Sequence, residues 1–358
     1  MARNGVDVLL LSVGADLPWL TGYEAMPLER LTMLVVPADA PATLVVPRLE
    51  APRVVERPEL FDVRAYDELT DPVALVAGLV GPSAGRRIAV GDRTWARFVL
   101  ELQAALTGAS WLGASSVTGP LRAVKDEAEV AALARAAAAA DQVAGALQRG
   151  DIELRGRTEA EVSAEIGRRL LDEGHQRVNF AIVASGPNAA SPHHEPGSRV
   201  IGAGDLVLCD FGGTMVGADG VGYCSDITRC VAVGAPAGEV ADAYAVLRRA
   251  QEAAVEAAVV GAEAQHVDAV ARRIIDEAGF GDRFVHRTGH GIGVEEHEDP
   301  YLVSGNAEPL VAGNAFSVEP GIYLPGAWGM RLEDIVVASA AGPRPLNRAS
   351  HDLAVLDG

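Results

Sequence analysis

Four carboxylates interrupt four apolar runs of this sequence: Asp210 in DLVLCDFGG, Asp226 in YCSDITRC, Glu319 in AFSVEPGIY and Glu333 in GMRLEDIVV. Each run has the aliphatic texture of a buried strand. An isolated charge in such a place is too costly to keep, so each acid must be paired or must bind a cation. Four of them in four strand contexts are hard to explain by packing alone. Arg331 and Glu333 are two apart and project from one face of an extended strand, with Met330 and Leu332 on the other. Pro320 and Gly321 stop any strand just beyond Glu319.

RTGHGIGVEEHEDP, residues 287–300, sets His290 between two glycines and His297 seven residues later. Adding His290 to the acids gives two Asp, two Glu and one His, mostly hard oxygen donors with one imidazole. That set suits a pair of divalent cations such as Mn²⁺, Co²⁺ or Zn²⁺ better than a thiolate-type structural zinc. Four negative ligands also offset the charge of two such ions. Two ions roughly 3.5–4 Å apart lower the pKa of a bridging water and polarise a carbonyl, which suits amide hydrolysis. The glycines flanking His290 are expected to let backbone approach metals and substrate closely. Cys209, Cys224 and Cys230 lack C-x-x-C spacing and read as small apolar fillers on strands, in keeping with a reducing cytoplasm.

At 358 residues the chain is longer than one core usually serves, which suggests two domains. The first 120 residues alternate β-rich runs (VDVLLLS, LTMLVVP, ATLVVP, RRIAVG) with helical segments (EAPRVVERP, DPVALVAGLVG, TWARFVLELQAAL), the pattern of an α/β domain with a mixed sheet and flanking helices. Near residue 120 the texture changes. Gly119 and Pro120 precede a long alanine-rich helix, consistent with a boundary between domains at 1–120 and 121–358. TEAEVSAEIGRRLLDEG opens with a capping box, Thr158 and Glu161, and closes at Gly174, so it is a helix. Helices followed by strands then occur twice in similar lengths. The second domain is therefore expected to be α+β, with an internal duplication whose halves meet in a pseudo-symmetric cleft.

Formal net charge is −19, with no block of basic residues, which argues against nucleic-acid or membrane-surface partners. The leading VLLL run is short and contains Asp7 upstream, so a buried first strand is expected rather than a secretory leader. No stretch approaches the ~18–20 apolar residues of a membrane span.

The ordered series SPHHEP, DFGG with YCSDITR, HRTGHGIGVEEHEDP, VEPGIY and GMRLED resembles the M24 pita-bread metallopeptidases: Xaa-Pro dipeptidases (prolidases), aminopeptidases P and methionine aminopeptidases. The resemblance spans roughly residues 120 to 340, and the N-terminal region resembles the creatinase-type domain found in the first two groups. It implies a pita-bread catalytic domain and two divalent ions, Mn²⁺ first, with Co²⁺ or Zn²⁺ as alternatives. Asp210, Asp226, His290, Glu319 and Glu333 would be the ligands, with Asp226 and Glu333 bridging the ions. His290 and Glu319 would serve one ion and Asp210 the other.

By the same resemblance His193 contacts substrate, although its neighbour His194 could serve instead, and His297 steadies the scissile carbonyl and the developing oxyanion. Glu319 would also take a proton from the nucleophilic water and pass it to the leaving nitrogen. Arg331 would hold an acid of the bridging set in place. His286 is equally readable as a core histidine or a substrate contact, and His175, His266 and His351 have no motif around them.

Two departures stand out. Asp210 and Asp226 are sixteen apart, more than the usual hairpin, and the surplus is GADGVG, residues 217–222; Asp219 is a rival ligand there, but DG is ordinary turn chemistry. Many prolidases follow the HExP segment with an arginine that clamps the substrate carboxylate. Here the position is Tyr301, which hydrogen-bonds a carboxylate without a charge.

The expected protein is a cytoplasmic, homodimeric metallo-exopeptidase hydrolysing Xaa-Pro dipeptides, with longer Xaa-Pro peptides, the aminopeptidase P case, close behind. A creatinase-like hydrolase of a small non-peptide C–N bond and a catalytically inactive binding module are the more distant alternatives.

Overall fold

A computed structural model describes residues 1–357. Two compact units emerge: Met1–Arg122 with Gly217–Gly222, and Ala123–Val216 with Tyr223–Gly358.

The first unit runs β1 (Val8–Leu11), α1 (Asp16–Thr21), β2 (Met33–Pro37), β3 (Ala42–Pro47), β4 (Phe61–Tyr66), α2 (Pro72–Val80), β5 (Arg87–Val90), α3 (Ala96–Ala105), β6 (Ser110–Gly113) and α4 (Ser115–Arg122). Its sheet has the order β4-β3-β2-β1-β5-β6. β1 pairs antiparallel with β2 and parallel with β5, so the sheet is mixed as expected. The unbroken VLLL of β1 follows from burial on both faces. Leu9 and Leu11 face a core with Leu17 and Val117, whereas Val8 and Leu10 face another with Val76 and Leu102.

One expectation fails locally in this unit. EAPRVVERP forms only a 3-10 turn at Ala51–Arg53, because Pro52 opens it and Pro58 follows too soon for a helix to propagate. Gly119 and Pro120 lie inside α4, ahead of the alanine-rich helix. The helix tolerates Pro120 because the Ser116 carbonyl, the one an ordinary residue would bond, accepts instead from Asn4 Nδ2 at 2.5 Å.

The second unit begins with α5 (Glu127–Gln148), α6 (Glu159–Asp172), β7 (Arg177–Ser185), β8 (Leu206–Val216), β9 (Gly222–Cys224) and β10 (Ile227–Val233). It continues through α7 (Gly238–Ala257), α8 (Ala264–Glu277), β11 (Gly289–Gly291), β12 (Glu298–Leu302), β13 (Ala315–Val318), β14 (Gly321–Leu324), β15 (Trp328–Arg331), β16 (Asp334–Val337), β17 (Arg344–Pro345) and β18 (Ala354–Leu356). Helix pairs thus precede antiparallel strands twice. One sheet is ordered β18-β10-β8-β7 and the other β12-β11-β13-β16-β17.

Each half has its own core. Leu147, Ile166 and Leu170 of α5 and α6 pack with Val183, Phe211 and Ile227, while Leu247, Val267 and Ile275 of α7 and α8 pack with Phe316, Met330 and Val336. Both α5 and α6 begin with complete capping boxes, Asp126 with Glu129 and Thr158 with Glu161. Among the described residues α5 alone could, by length and composition, cross a membrane, but 61% of its apolar window is buried. Its alanines serve close helix packing. The halves join where Glu333 N donates to Thr228 O at 3.3 Å, which brings the end of β15 against the start of β10.

Candidate metal centre

The chemistry collects at strand ends. Asp210 sits in β8 opposite Thr228 of β10, and Asp226 immediately precedes β10. His290 is the middle residue of β11, Glu319 follows β13, and Glu333 lies between β15 and β16. All five line one cavity of about 340 Å³, together with His193, His286, Arg287, Glu296, His297 and Arg331.

Ligand atoms of Asp226, His290 and Glu333 lie within 4.8 Å of one another. His290 Nε2 is 3.2 Å from Glu319 Oε1 and 3.8 Å from Asp226 Oδ2. Asp210 completes the ring from the other side, where it contacts Arg331 Nη2. Oδ1 of Asp210 and Oδ1 of Asp226 are buried with no hydrogen-bond partner among the described residues. An unpartnered carboxylate oxygen inside a fold costs several kcal/mol unless something cationic meets it. The donor set therefore fits divalent metal ions.

Electrostatics point the same way. Burial pushes the carboxyl of Asp210 up, and burial with repulsion from Glu333 and Asp210 pushes Asp226 well above the usual range. Burial and the charges of Glu319 and Asp210 do the same to Glu333. Burial would also raise Glu319, but its hydrogen bond from His290 holds it low. So many acids in one place resist ionising together until positive charge is added.

Arg331 knits the acids into position. Its Nε donates to Thr228 Oγ1 at 3.1 Å and its Nη1 to Tyr323 Oη at 2.7 Å, while Nη2 holds Asp210. Thr228 Oγ1 in turn donates to Glu333 Oε2 at 2.7 Å. Tyr323, accepting from Arg331, is left to donate to His286 Nε2 at 2.8 Å, and His286 Nδ1 then donates to the Arg287 carbonyl at 2.7 Å. Both nitrogens of His286 are thus engaged. Burial lowers its pKa to about 4, in keeping with a neutral ring.

The two adjacent histidines separate cleanly. His193 is exposed and lines the cavity, whereas His194 turns away and its Nε2 meets Glu159 Oε2 at 2.8 Å. His297 stacks near His290, with ring centroids 3.9 Å apart, and burial followed by the His290 charge lowers its pKa to about 4. Asp219 does not line the cavity; its Oδ1 accepts from Val221 N at 3.1 Å, a turn contact. Tyr301 is also outside the lining, and its ring lies beneath the Arg287 guanidinium at 4.4 Å. The sheet itself requires the glycines beside His290: a Cβ at Gly289 would collide with the Ser317 carbonyl, and one at Gly291 with those of Glu298 and Asp299.

Three supporting residues are invisible to motif reasoning. Glu159, fully buried at the start of α6, accepts from Ser185 N at 2.7 Å, Ser185 Oγ at 2.8 Å, Asn188 Nδ2 at 3.1 Å and Gly197 N at 3.4 Å, besides His194. It ties down the segment that carries His193. Asp268 of α8 accepts from Thr288 N at 3.0 Å and Thr288 Oγ1 at 2.7 Å, two residues before His290. Lys125 pairs with Glu298 at 2.5 Å, next to His297, with 1% of its side chain exposed. Composition held a signal for the last: Lys125 is the one lysine in a chain with 29 arginines.

Residues 131–340 match the model of metallopeptidase family M24, and residues 1–124 match the Creatinase/Prolidase N-terminal domain. The chain belongs to metallopeptidase family M24. It is 44% identical to a probable dipeptidase PepE of Mycobacterium tuberculosis, over 99% of this chain and 93% of that protein. It is 35% identical to an Xaa-Pro dipeptidase of Lactobacillus delbrueckii subsp. lactis, over 99% of this chain and 96% of the other. The crystal structure of dipeptidase PepE from Mycobacterium ulcerans superposes with a TM-score of 0.91 at 44% identity, covering 100% of this chain and 95% of that one. The protein is thus a metallopeptidase with the pita-bread fold, and its family implies divalent metal ions.

Proposed function

We propose that this chain is a dinuclear metal-dependent exopeptidase that hydrolyses Xaa-Pro dipeptides, with Mn²⁺ as its first metal. The observation that carries the reading is the buried ring of Asp210, Asp226, Glu319, Glu333 and His290, two of whose carboxylate oxygens have no partner among the described residues. The names of the relatives, dipeptidase and Xaa-Pro dipeptidase, favour short substrates over longer ones. Three free, buried cysteines fit a reducing cytoplasm, and the family resemblance supports a homodimer and the division of the chain at 1–120 and 121–358.

When bound, two divalent ions would lower the pKa of a water held between them and polarise the scissile carbonyl. In this reading Asp210, Asp226, His290, Glu319 and Glu333 would hold the ions. Arg331 and Thr228 keep those acids aligned through the hydrogen bonds described above. Glu319 takes a proton at its carboxylate and delivers it to the leaving proline nitrogen, which requires that it start ionised, as its low pKa provides. His297 Nε2 donates to the carbonyl oxygen as charge builds there, and neutral imidazole suffices for that. His193 borders the cavity from the opposite segment and contacts substrate.

The test is hydrolysis of matched Ala-Pro and Ala-Pro-Ala by Mn²⁺-reconstituted enzyme, with metal content measured in parallel. Two bound ions and faster cleavage of the dipeptide are expected. Faster cleavage of the tripeptide would move the assignment to an Xaa-Pro aminopeptidase, and no activity at full metal loading would overturn the peptidase assignment at this site.

A further inference from the structure

The cavity is lined by five acids and two arginines, Arg287 and Arg331. Arg331 is committed to Asp210, Thr228 and Tyr323. Arg287 is different. It is half-buried and has no carboxylate partner among the described residues; its only polar side-chain contact is Nη2 to His297 Nδ1 at 3.5 Å. Its guanidinium stacks 4.4 Å above the Tyr301 ring.

A cation–ring contact holds a guanidinium without taking up its N–H donors in conventional hydrogen bonds. The edge of Arg287 therefore remains available as a fork, pre-oriented by Tyr301, beside the histidine that meets the scissile carbonyl. An Xaa-Pro dipeptide carries its free carboxylate on the residue just past the scissile bond. In a cavity this rich in acids such an anion is repelled unless a cation receives it, and planar bidentate pairing with arginine is the strongest neutral-pH solution.

We infer that Arg287, held over Tyr301, is the residue that receives the terminal carboxylate of the substrate and so sets a preference for dipeptides. This rests on the dipeptidase reading above. Tyr301, expected to touch the substrate itself, becomes the support on which the charge is mounted. The cation absent from position 301 is supplied from position 287, across the β11–β12 pair.

The experiment compares Ala-Pro with Ala-prolinamide and Ala-Pro-Ala, using Mn²⁺-loaded wild type, Arg287→Gln, Arg287→Lys and Tyr301→Phe. Arg287→Gln should raise KM for Ala-Pro roughly 10–100-fold, the worth of a charge-assisted pair. Its kcat should change little, and the amide and tripeptide should be nearly unaffected. Arg287→Lys should recover part of the loss, and Tyr301→Phe, which keeps the ring, should resemble wild type. If Arg287→Gln lowers kcat/KM equally for acid and amide, or leaves Ala-Pro unchanged, the inference fails while the dipeptidase reading stands. If wild type itself prefers the amide or the tripeptide, the dipeptidase reading fails first.

Discussion

Removing the Glu159 carboxylate should damage both the stability of the second unit and the grip on substrate. Glu159→Ala strips one shared acceptor from donors at Ser185, Asn188, His194 and Gly197. Bonds to a charged acceptor are worth about 1.5–3 kcal/mol each when intact, but some donors regain water. Breaking a buried charged network from one side costs about 3–5 kcal/mol overall. For a unit of roughly 230 residues, unfolding entropy is about 0.5 kcal/mol per degree, so Tm should fall by roughly 6–10 °C. Because the freed segment carries His193, KM for Ala-Pro should rise by about 10-fold while kcat changes less.

Glu159→Gln keeps the volume but loses the charge and aims an amide donor at other donors, so it should fall between wild type and Ala. The effect has a sign in pH. Burial alone would raise this carboxyl, but hydrogen bonds from His194 and Ser185 hold it below the ordinary range. Its stabilisation is present in full above the unfolded value, about 4.3, and is lost as pH falls through the lower folded value. The Tm gap between wild type and Glu159→Gln should be constant at neutral pH and close under acid. Thermal unfolding followed by circular dichroism, with Ala-Pro kinetics on the same preparations, reads all of this. A Glu159→Ala protein within about 1 °C of wild type and with unchanged KM would refute the reasoning.

Two further outcomes follow from the same structure. Lys125→Met should destabilise by about 3–5 kcal/mol because it removes a cation paired with the buried Glu298, whereas Lys125→Met with Glu298→Met should recover much of the loss; a double-mutant cycle in denaturant checks the coupling. Gly291→Ala drives a methyl into the Glu298 and Asp299 carbonyls, so β11 and β12 must separate and His297 must shift; activity should fall at least 100-fold, and a fully active variant would contradict the packing.

The sequence disclosed most about residues whose chemistry conflicts with their surroundings. Acids inside apolar strands, the Thr158–Glu161 capping box and a repeated helix-strand order all announce themselves locally, and the first unit's mixed sheet and the five converging side chains agree with them. Contacts between distant positions left no such trace. Glu159 meets residues 26 to 38 positions away, and Lys125 meets Glu298 across 173. The resemblance favours His193 over His194, but the physical reason lies in the turn they share and in Glu159, which holds His194 away from the cavity. Tyr301 was noticed for the charge it lacks, but its partner across the hairpin was not, because cation-ring stacking has no sequence period.

The Lys125–Glu298 pair has a consequence outside catalysis. With the chain's one lysine sealed in the second unit, the folded surface presents no side-chain amine at all among the described residues. Acylating reagents and amine cross-linkers should pass over the native side chains, and modification of Lys125 must wait for the fold around it to open. The rate of its labelling is then a clock for local opening beside the metal centre, built into the protein without any engineered probe.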